Sequence, residues 1–138
     1  MRTSIVLLVL TALLMAGCAT TEELTKEKGI EPGTDYAAYA GAPIDDFLSY
    51  NINGWTPVSR TELVIWSGVN DAYLLKVWNT CPNLLFADHV GVTDTANRIS
   101  KFEKVRVGRE TCPISEIRPV DIKRMKADRK AAETQKAG

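Results

Sequence analysis

The sequence predicts a mainly β domain: a small antiparallel sheet or barrel of five to six strands, with a short N-terminal helix and a charged C-terminal helix or tail. Two apolar runs, 61–66 and 72–78, flank a turn-rich link of five residues, which is typical of a hairpin. Short apolar runs, separated by glycine, proline and polar residues, continue to Val120. The 138 residues suffice for one domain of ordinary size, so a multidomain enzyme is excluded.

Within this hairpin, one pairing register agrees with both the apolar pattern and the charges. A register that sets Leu63 opposite Leu75 makes one face of the two strands nearly all apolar. The same register sets Glu62 opposite Lys76 on the other face, where we expect an outward ion pair.

Further elements follow from periodicity and from proline. Residues 43–48 have apolar positions at helical spacing and two acids in the first turn, and they predict a short helix. Residues 84–92 alternate and predict a strand, and residues 98–107 predict another strand or a strand pair. Residues 112–117 predict the last strand, which Pro113 confines to a sheet edge or a bulge because proline has no N–H to donate.

The C-terminal region predicts a capped helix. Pro119 is expected to stop the sheet, and Asp121 is placed to cap a helix that only Ile122 and Met125 dock onto the domain. Over the whole chain, seventeen Lys and Arg residues balance seventeen Asp and Glu residues, so net charge does not indicate a nucleic-acid partner.

Residues 1–17 have the pattern of a lipoprotein signal peptide. Arg2 is followed by an apolar stretch that is shorter than the ~20 residues needed to span a bilayer. Small residues then precede Cys18, which resembles the bacterial lipobox, where the cysteine is lipidated and becomes the mature N-terminus. An ordinary signal peptide with an incidental cysteine is the alternative. Ala19 replaces the aspartate of the inner-membrane retention signal, so the resemblance implies an anchor in the outer membrane, facing the periplasm.

The chain therefore divides into four parts. Polar and small residues with several glycines follow Cys18 and predict a flexible tether that spans roughly 25–30 Å. The signal peptide, tether, β domain and basic C-terminal helix or tail are placed at 1–17, 18–42, 43–120 and 121–138.

Lipidation of Cys18 leaves one cysteine pair, Cys81 and Cys112. In an oxidising compartment such a pair is expected to form a disulfide, and closing a loop of about 31 residues stabilises the fold by roughly 3–4 kcal/mol. A redox role is the alternative, although reactive pairs usually have two residues between them. A zinc site is disfavoured because the pair and His89 provide only three ligands.

Residues 44–121 resemble a family of small exported proteins and lipoproteins of proteobacteria that is known only as a domain of unknown function. The runs that carry the resemblance are DAYLLKVWNTCPNLLFADHVGVT, RISKFEKVRVG and CPISEIRPVD. The resemblance implies an exported β domain with one disulfide, and it implies no activity, cofactor or catalytic residue.

Three groups of residues are candidates for a site. Cys81, Asp88 and His89 include the residue types of a catalytic triad, but strand neighbours such as Asp88 and His89 point to opposite faces. Trp66 and Trp78 form the second group, and they mark an aromatic binding face if they are exposed and do not pack in the core. A basic strip is the third candidate, and its residues are Arg98, Lys101, Lys104, Arg106 and Arg109.

The basic strip has two interpretations. Lys104 and Arg106 share one face of a strand whose other face is apolar, so the strip is suited to an anionic surface such as lipid phosphate or a cell-wall polymer. The alternative is an ordinary solvated sheet face on which Glu103 and Glu110 dilute the charge.

The sequence as a whole predicts a non-catalytic, lipid-anchored envelope protein whose domain binds a protein or an anionic envelope polymer. No cofactor, metal or nucleic acid is expected. The alternative is a small periplasmic enzyme or thiol-redox factor that uses Cys81, Cys112 or His89. The first prediction is favoured because lipid and disulfide account for all three cysteines.

Overall fold

The computed structural model of the chain describes residues 34–138, which are mostly antiparallel β-strands. Two 3-10 helices and one α-helix complete the structure, and no helix in this part of the chain is long and apolar enough to cross a membrane. The predicted signal peptide and Cys18 lie outside the described residues. The strands are β1 Asp46–Leu48, β2 Gly54–Pro57, β3 Glu62–Trp66, β4 Asp71–Val77, β5 Val90–Val92, β6 Arg98–Ser100, β7 Lys104–Val107 and β8 Glu110–Asp121; the 3-10 helices are Tyr36–Tyr39 and Leu84–Phe86, and α1 is Ile122–Lys136.

Six of the eight strands form one antiparallel sheet in the order β2-β3-β4-β8-β7-β5. The remaining two, β1 and β6, pair with each other in a small second sheet. The prediction of a mainly β domain with five to six strands in its sheet is therefore confirmed.

The β3–β4 hairpin has the register that the sequence predicts. Leu63 pairs with Leu75, and Glu62 pairs with Lys76. The prediction of an outward ion pair is wrong, because Glu62 and Lys76, both in the described part of the chain, form no salt bridge. Their face of the hairpin is also not simply exposed, since Val64, the next residue of β3 on that face, is fully buried.

The domain buries apolar side chains on both sides of the central strands. The inner core contains Leu63, Leu75 and Ile117 together with residues of β1, β6 and β7. A second, smaller core on the opposite side is covered by α1 and the first 3-10 helix, and its buried members are Tyr36, Val64, Ala72, Leu74, Val120, Ile122 and Met125.

The predicted helix at 43–48 is wrong, because this segment is extended. The Ile44 N–H donates to the carbonyl of Ile117 at 2.8 Å, and Phe47 pairs with Ile99 across the small sheet. Pairing with other strands supplies backbone hydrogen bonds that a single helical turn leaves unmade. Asp45 and Asp46 therefore alternate along an extended segment instead of lying in the first turn of a helix.

Packed structure extends N-terminal to residue 43, where the β domain was predicted to begin. Tyr36 in the first 3-10 helix is buried, and the Gly41 N–H donates to the carbonyl of Pro119 at 2.8 Å. Arg118 Nε donates to the carbonyl of Gly41 at 2.7 Å. Residues 34–42 therefore pack on the domain, while residues 18–33 of the predicted tether lie outside the described residues.

The predicted strand at 84–92 is wrong over its first half. Leu84–Phe86 is a 3-10 helix, with Leu84 buried and Phe86 exposed, and only Val90–Val92 forms a strand. The Phe86 N–H donates to the carbonyl of Asn83, so a local turn replaces the ladder here. The alternation of apolar residues at 84–92 does not reflect a strand here, because Leu84 is buried with Cys81 in the inner core.

Proline in β8 is accommodated without ending the sheet. The strand lies between β4 and β7, so the predicted edge position is wrong, whereas the predicted bulge is present opposite Lys76 and Val77. Pro113 accepts a hydrogen bond from the Trp78 N–H, just beyond the end of β4. Pro119, expected to stop the sheet, pairs with Tyr73 and turns its missing donor away from β4.

The C-terminal helix follows the prediction. The Asp121 side chain accepts a hydrogen bond from the Arg124 N–H at 3.0 Å, which caps the first turn. Ile122 and Met125 are its buried residues. The Tyr39 hydroxyl donates to Asp128 at 3.1 Å and joins α1 to the first 3-10 helix.

The Cys81–Cys112 disulfide is present, as predicted, with its sulfurs 2.09 Å apart. It connects the segment after β4 to β8 across 31 residues. Cys81 is fully buried in the inner core and Cys112 nearly so, which fits a structural bridge.

Replacing both bridge cysteines by alanine in a Cys18→Ser background should lower the free energy of unfolding by roughly 3–4 kcal/mol, because the unfolded chain regains its loop entropy. Urea denaturation measures the difference. Addition of a strong reductant to the parent protein should produce a similar loss. An unchanged unfolding midpoint in the double variant contradicts the prediction.

Candidate functional site

The structure divides the predicted basic strip into two groups. Arg98 Nε donates to Asp46 on β1 at 2.9 Å, and Lys101 Nζ donates to Asp45 at 2.8 Å. The hydrogen bond from Lys101 lowers the pKa of the Asp45 carboxyl below its ordinary value. These two cations are therefore committed to ion pairs that join β1 to β6 and its following turn.

The other three cations form what we call the outer basic patch: Lys104, Arg106 and Arg109. Lys104 and Arg106 are exposed at alternate positions of β7, and Val105 and Val107 are buried in the inner core. Arg109 is exposed in the tight turn between β7 and β8. Among the described residues, none of the three side-chain cations forms a hydrogen bond or a salt bridge.

An exposed tryptophan lies in line with this patch. The Trp78 N–H donates to the carbonyl of Pro113 at 3.0 Å, and Pro113 is in register with Lys104 on β7. Because neighbouring strands are about 4.8 Å apart, the Cα atoms of Trp78 and Lys104 are roughly 10 Å apart. Trp78 is 72% exposed, so an indole and a cation are available to one partner.

Trp66, the other candidate tryptophan, does not contribute to this surface. It is half-buried against the second core, and its Nε1 donates to Thr56 at 2.9 Å. Trp66 lies at the turn end of the β3–β4 hairpin, whereas Trp78 follows the opposite end of β4. The structure therefore does not bring the two tryptophans into one aromatic face.

The candidate catalytic residues are also separated. Asp88 and His89 are exposed just before β5, while the sulfur of Cys81 is in the disulfide inside the core. Within the described residues, the one cluster of potential metal ligands consists of Cys81, Glu110 and Cys112. Its two sulfurs are bonded to each other and are not thiolates, so the Glu110 carboxylate is the one ion-binding group that the cluster offers.

The two glutamates that were expected to dilute the basic charge are bound to other groups. Glu110 accepts from Asn83 Nδ2 at 2.9 Å, on the side of the disulfide. Glu103 accepts from the hydroxyls of Thr93 and Thr95. Neither carboxylate forms a salt bridge with the outer basic patch, although both stay negatively charged beside it.

Residues 1–136 match the family model of DUF6491, a family of unknown function. The chain belongs to this family. The match extends over almost the whole chain, and the family description assigns no activity. No curated protein and no solved structure matches the chain.

In this DUF6491 domain, Glu103 and Thr93 hold the basic strand in position, a role that the sequence did not show. The Thr93 hydroxyl donates to Glu103 and accepts from the Lys104 N–H at 2.9 Å. Thr95 donates to the same carboxylate at 2.6 Å. The two hydroxyl donors lower the pKa of Glu103, and the nearby Lys104 charge adds a small contribution in the same direction.

The Glu103→Gln variant should be less stable than the parent protein at about pH 7, because the amide oxygen replaces a charged acceptor. The pKa of Glu103 is lowered in the folded state, so its stabilisation is complete above the ordinary glutamate pKa of about 4.3 and is lost as the pH falls through the lower folded value. Urea denaturation at about pH 7 and about pH 3 should show a difference that shrinks in acid. Glu133→Gln on the exposed side of α1 is the control, and equal pH dependence in both variants contradicts this role.

Proposed function

We propose that this protein is a non-catalytic, lipid-anchored protein of the cell envelope whose domain binds an anionic partner, either a protein or an envelope polymer. The observation that carries the proposal is the outer basic patch, whose three cations lack acidic partners in the described part of the chain. The patch lies in line with the exposed Trp78.

The chemistry of the patch suits carboxylate or phosphate groups. The planar guanidinium groups of Arg106 and Arg109 can each donate two parallel hydrogen bonds to a carboxylate or phosphate, and Lys104 adds a point charge. Lys104 and Arg106 project from a strand with a buried opposite face, so they are held at a nearly constant spacing. An indole beside cations adds apolar contact area, which anchors a partner more specifically than charge alone.

The alternative, an enzyme or thiol-redox factor, has less support from the geometry. A disulfide exchanges when a thiolate reaches one of its sulfurs, and Cys81 is 0% exposed. His89 lies outside the ligand cluster around the disulfide. Both observations favour a bridge that stabilises the domain.

The lipid anchor rests on the pattern that ends at Cys18. An anchored domain on a tether searches the space within reach of the membrane surface, which favours binding to a large, fixed partner. The default address that this pattern implies is the outer membrane, facing the periplasm.

Replacing Cys18 by serine removes the thiol that the lipid modifies. The variant should accumulate as uncleaved precursor or appear in the soluble fraction, which cell fractionation and intact-mass measurement detect. Cys81→Ser in the same chain is the control, because it should not alter membrane association of the material that folds. Normal lipidation and fractionation of the Cys18→Ser variant contradict the anchor.

Charge reversal tests the outer basic patch. Cross-linking in cells followed by mass spectrometry should identify a specific partner of the parent protein that is lost, or reduced about tenfold or more, in Lys104→Glu/Arg106→Glu, since like charges across an interface repel strongly. Lys123→Glu/Lys130→Glu on α1 makes the same net-charge change elsewhere and should retain the partner. Equal loss in both double variants, or no loss in the first, contradicts the patch as the contact surface.

A further inference from the structure

A separate cleft lies between β1 with its following loop and the turn end of the β3–β4 hairpin. Its volume is about 430 Å³, within the range of small-molecule sites in proteins. None of its lining residues belongs to the outer basic patch. The lining residues that carry the inference are Asp46, Tyr50, Asn51, Asp71, Tyr73 and Arg98.

The cleft has aromatic walls at two depths. Tyr73 stacks on the buried Phe47 with ring centroids 4.0 Å apart, which holds its ring still. Tyr50 is 67% exposed and lines the cleft from the loop after β1. The apolar C–H face of a ring compound can pack on such aromatic side chains.

The polar groups of the cleft are available to a ligand. The side chains of Tyr50, Asn51, Asp71 and Tyr73 form no hydrogen bond or ion pair with other described residues. Asp46 and Arg98 neutralise each other at one side of the cleft. The lining thus combines hydroxyl and amide donors with one carboxylate that no cation of the described chain balances.

We propose that this cleft binds a neutral, hydroxyl-rich ring compound, that is, a saccharide unit. Hydroxyl groups donate and accept at once, and they match a lining that mixes donors with acceptors. An ammonium ligand has no acceptor atom, so the O–H donors of the two tyrosines and the N–H donors of Asn51 would find no partner on it. An anionic ligand would meet the Asp71 carboxylate. The proposal goes beyond the anionic-partner function, and its residues are different from those of the outer basic patch.

Amide chemical shifts of the full-length, ¹⁵N-labelled protein in a detergent without sugar groups test this site. The probes are maltose and diacetylchitobiose as neutral saccharides, glucuronate as an anion and spermidine as an amine. At least one neutral saccharide should produce saturable shifts at the cleft residues, and glucuronate and spermidine should bind there more weakly.

Two variants with one control connect the shifts to the cleft. Tyr50→Ala and Asp71→Ala should each weaken saccharide binding about fivefold or more, because each removes a direct contact. Phe102→Ala removes another exposed aromatic ring outside the cleft and should leave the affinity unchanged. The spectra themselves show whether each variant is folded.

Three results overturn the proposal: no saturable shift at the cleft with either saccharide, saccharide affinity unchanged in both cleft variants, or tighter binding of glucuronate or spermidine than of the saccharides. The Lys104→Glu/Arg106→Glu variant should bind the saccharide with unchanged affinity, because the cleft and the outer basic patch are separate sites. Failure of this cleft therefore leaves the function proposed for the outer basic patch untouched.

Discussion

The long strand β8 is the constraint on which the rest of the domain depends. It pairs with β4 along most of its length, with β7 over its first part and with residues 40–44 beyond the point where β7 has ended. A buried strand must satisfy its backbone donors and acceptors on both sides. Pro113 and Pro119 determine where this is possible, because each turns its missing N–H to a side where no strand ladder requires it.

Burial on both faces of the central strands explains the position of the terminal segments. Val64 and Leu74 face away from the inner core, and each buries its side chain under α1 and the first 3-10 helix. Removal of these elements would expose a contiguous apolar surface on the sheet. The first 3-10 helix and α1 are thus parts of one covering layer, joined by contacts such as Tyr39 to Asp128.

The same architecture creates two surfaces with different chemistry. The outer face of β7 is not covered by α1, so Lys104 and Arg106 stay exposed while Val105 and Val107 fill the inner core. The cleft lies where the chain leaves β8 after Ile44, and where β1 pairs with β6 beside Tyr73. The first surface is exposed and cationic, which suits a large anionic partner, and the second is a cleft with a lining of mixed polarity.

The candidate site was only partly predictable. Alternation of charged and apolar residues was sufficient to put Lys104 and Arg106 on one face, because side chains of a strand alternate by necessity. The neutralisation of Arg98 and Lys101 was not predictable, since their partners Asp46 and Asp45 lie more than fifty residues away in sequence and were expected in a helix. The cleft has no sequence signature because its walls come from three separate segments.

The sequence by itself determined the β class, the β3–β4 register, the Asp121 cap and the Cys81–Cys112 pair. Each of these depends on local periodicity, on one side chain capping its own helix or on the number of cysteines left to pair. The tertiary structure alone decided that 43–48 is extended, that 84–86 is a 3-10 helix and that β8 continues through Pro119. These outcomes depend on which strand edge, distant in sequence, is open to accept or donate hydrogen bonds, and the local sequence pattern does not specify that edge.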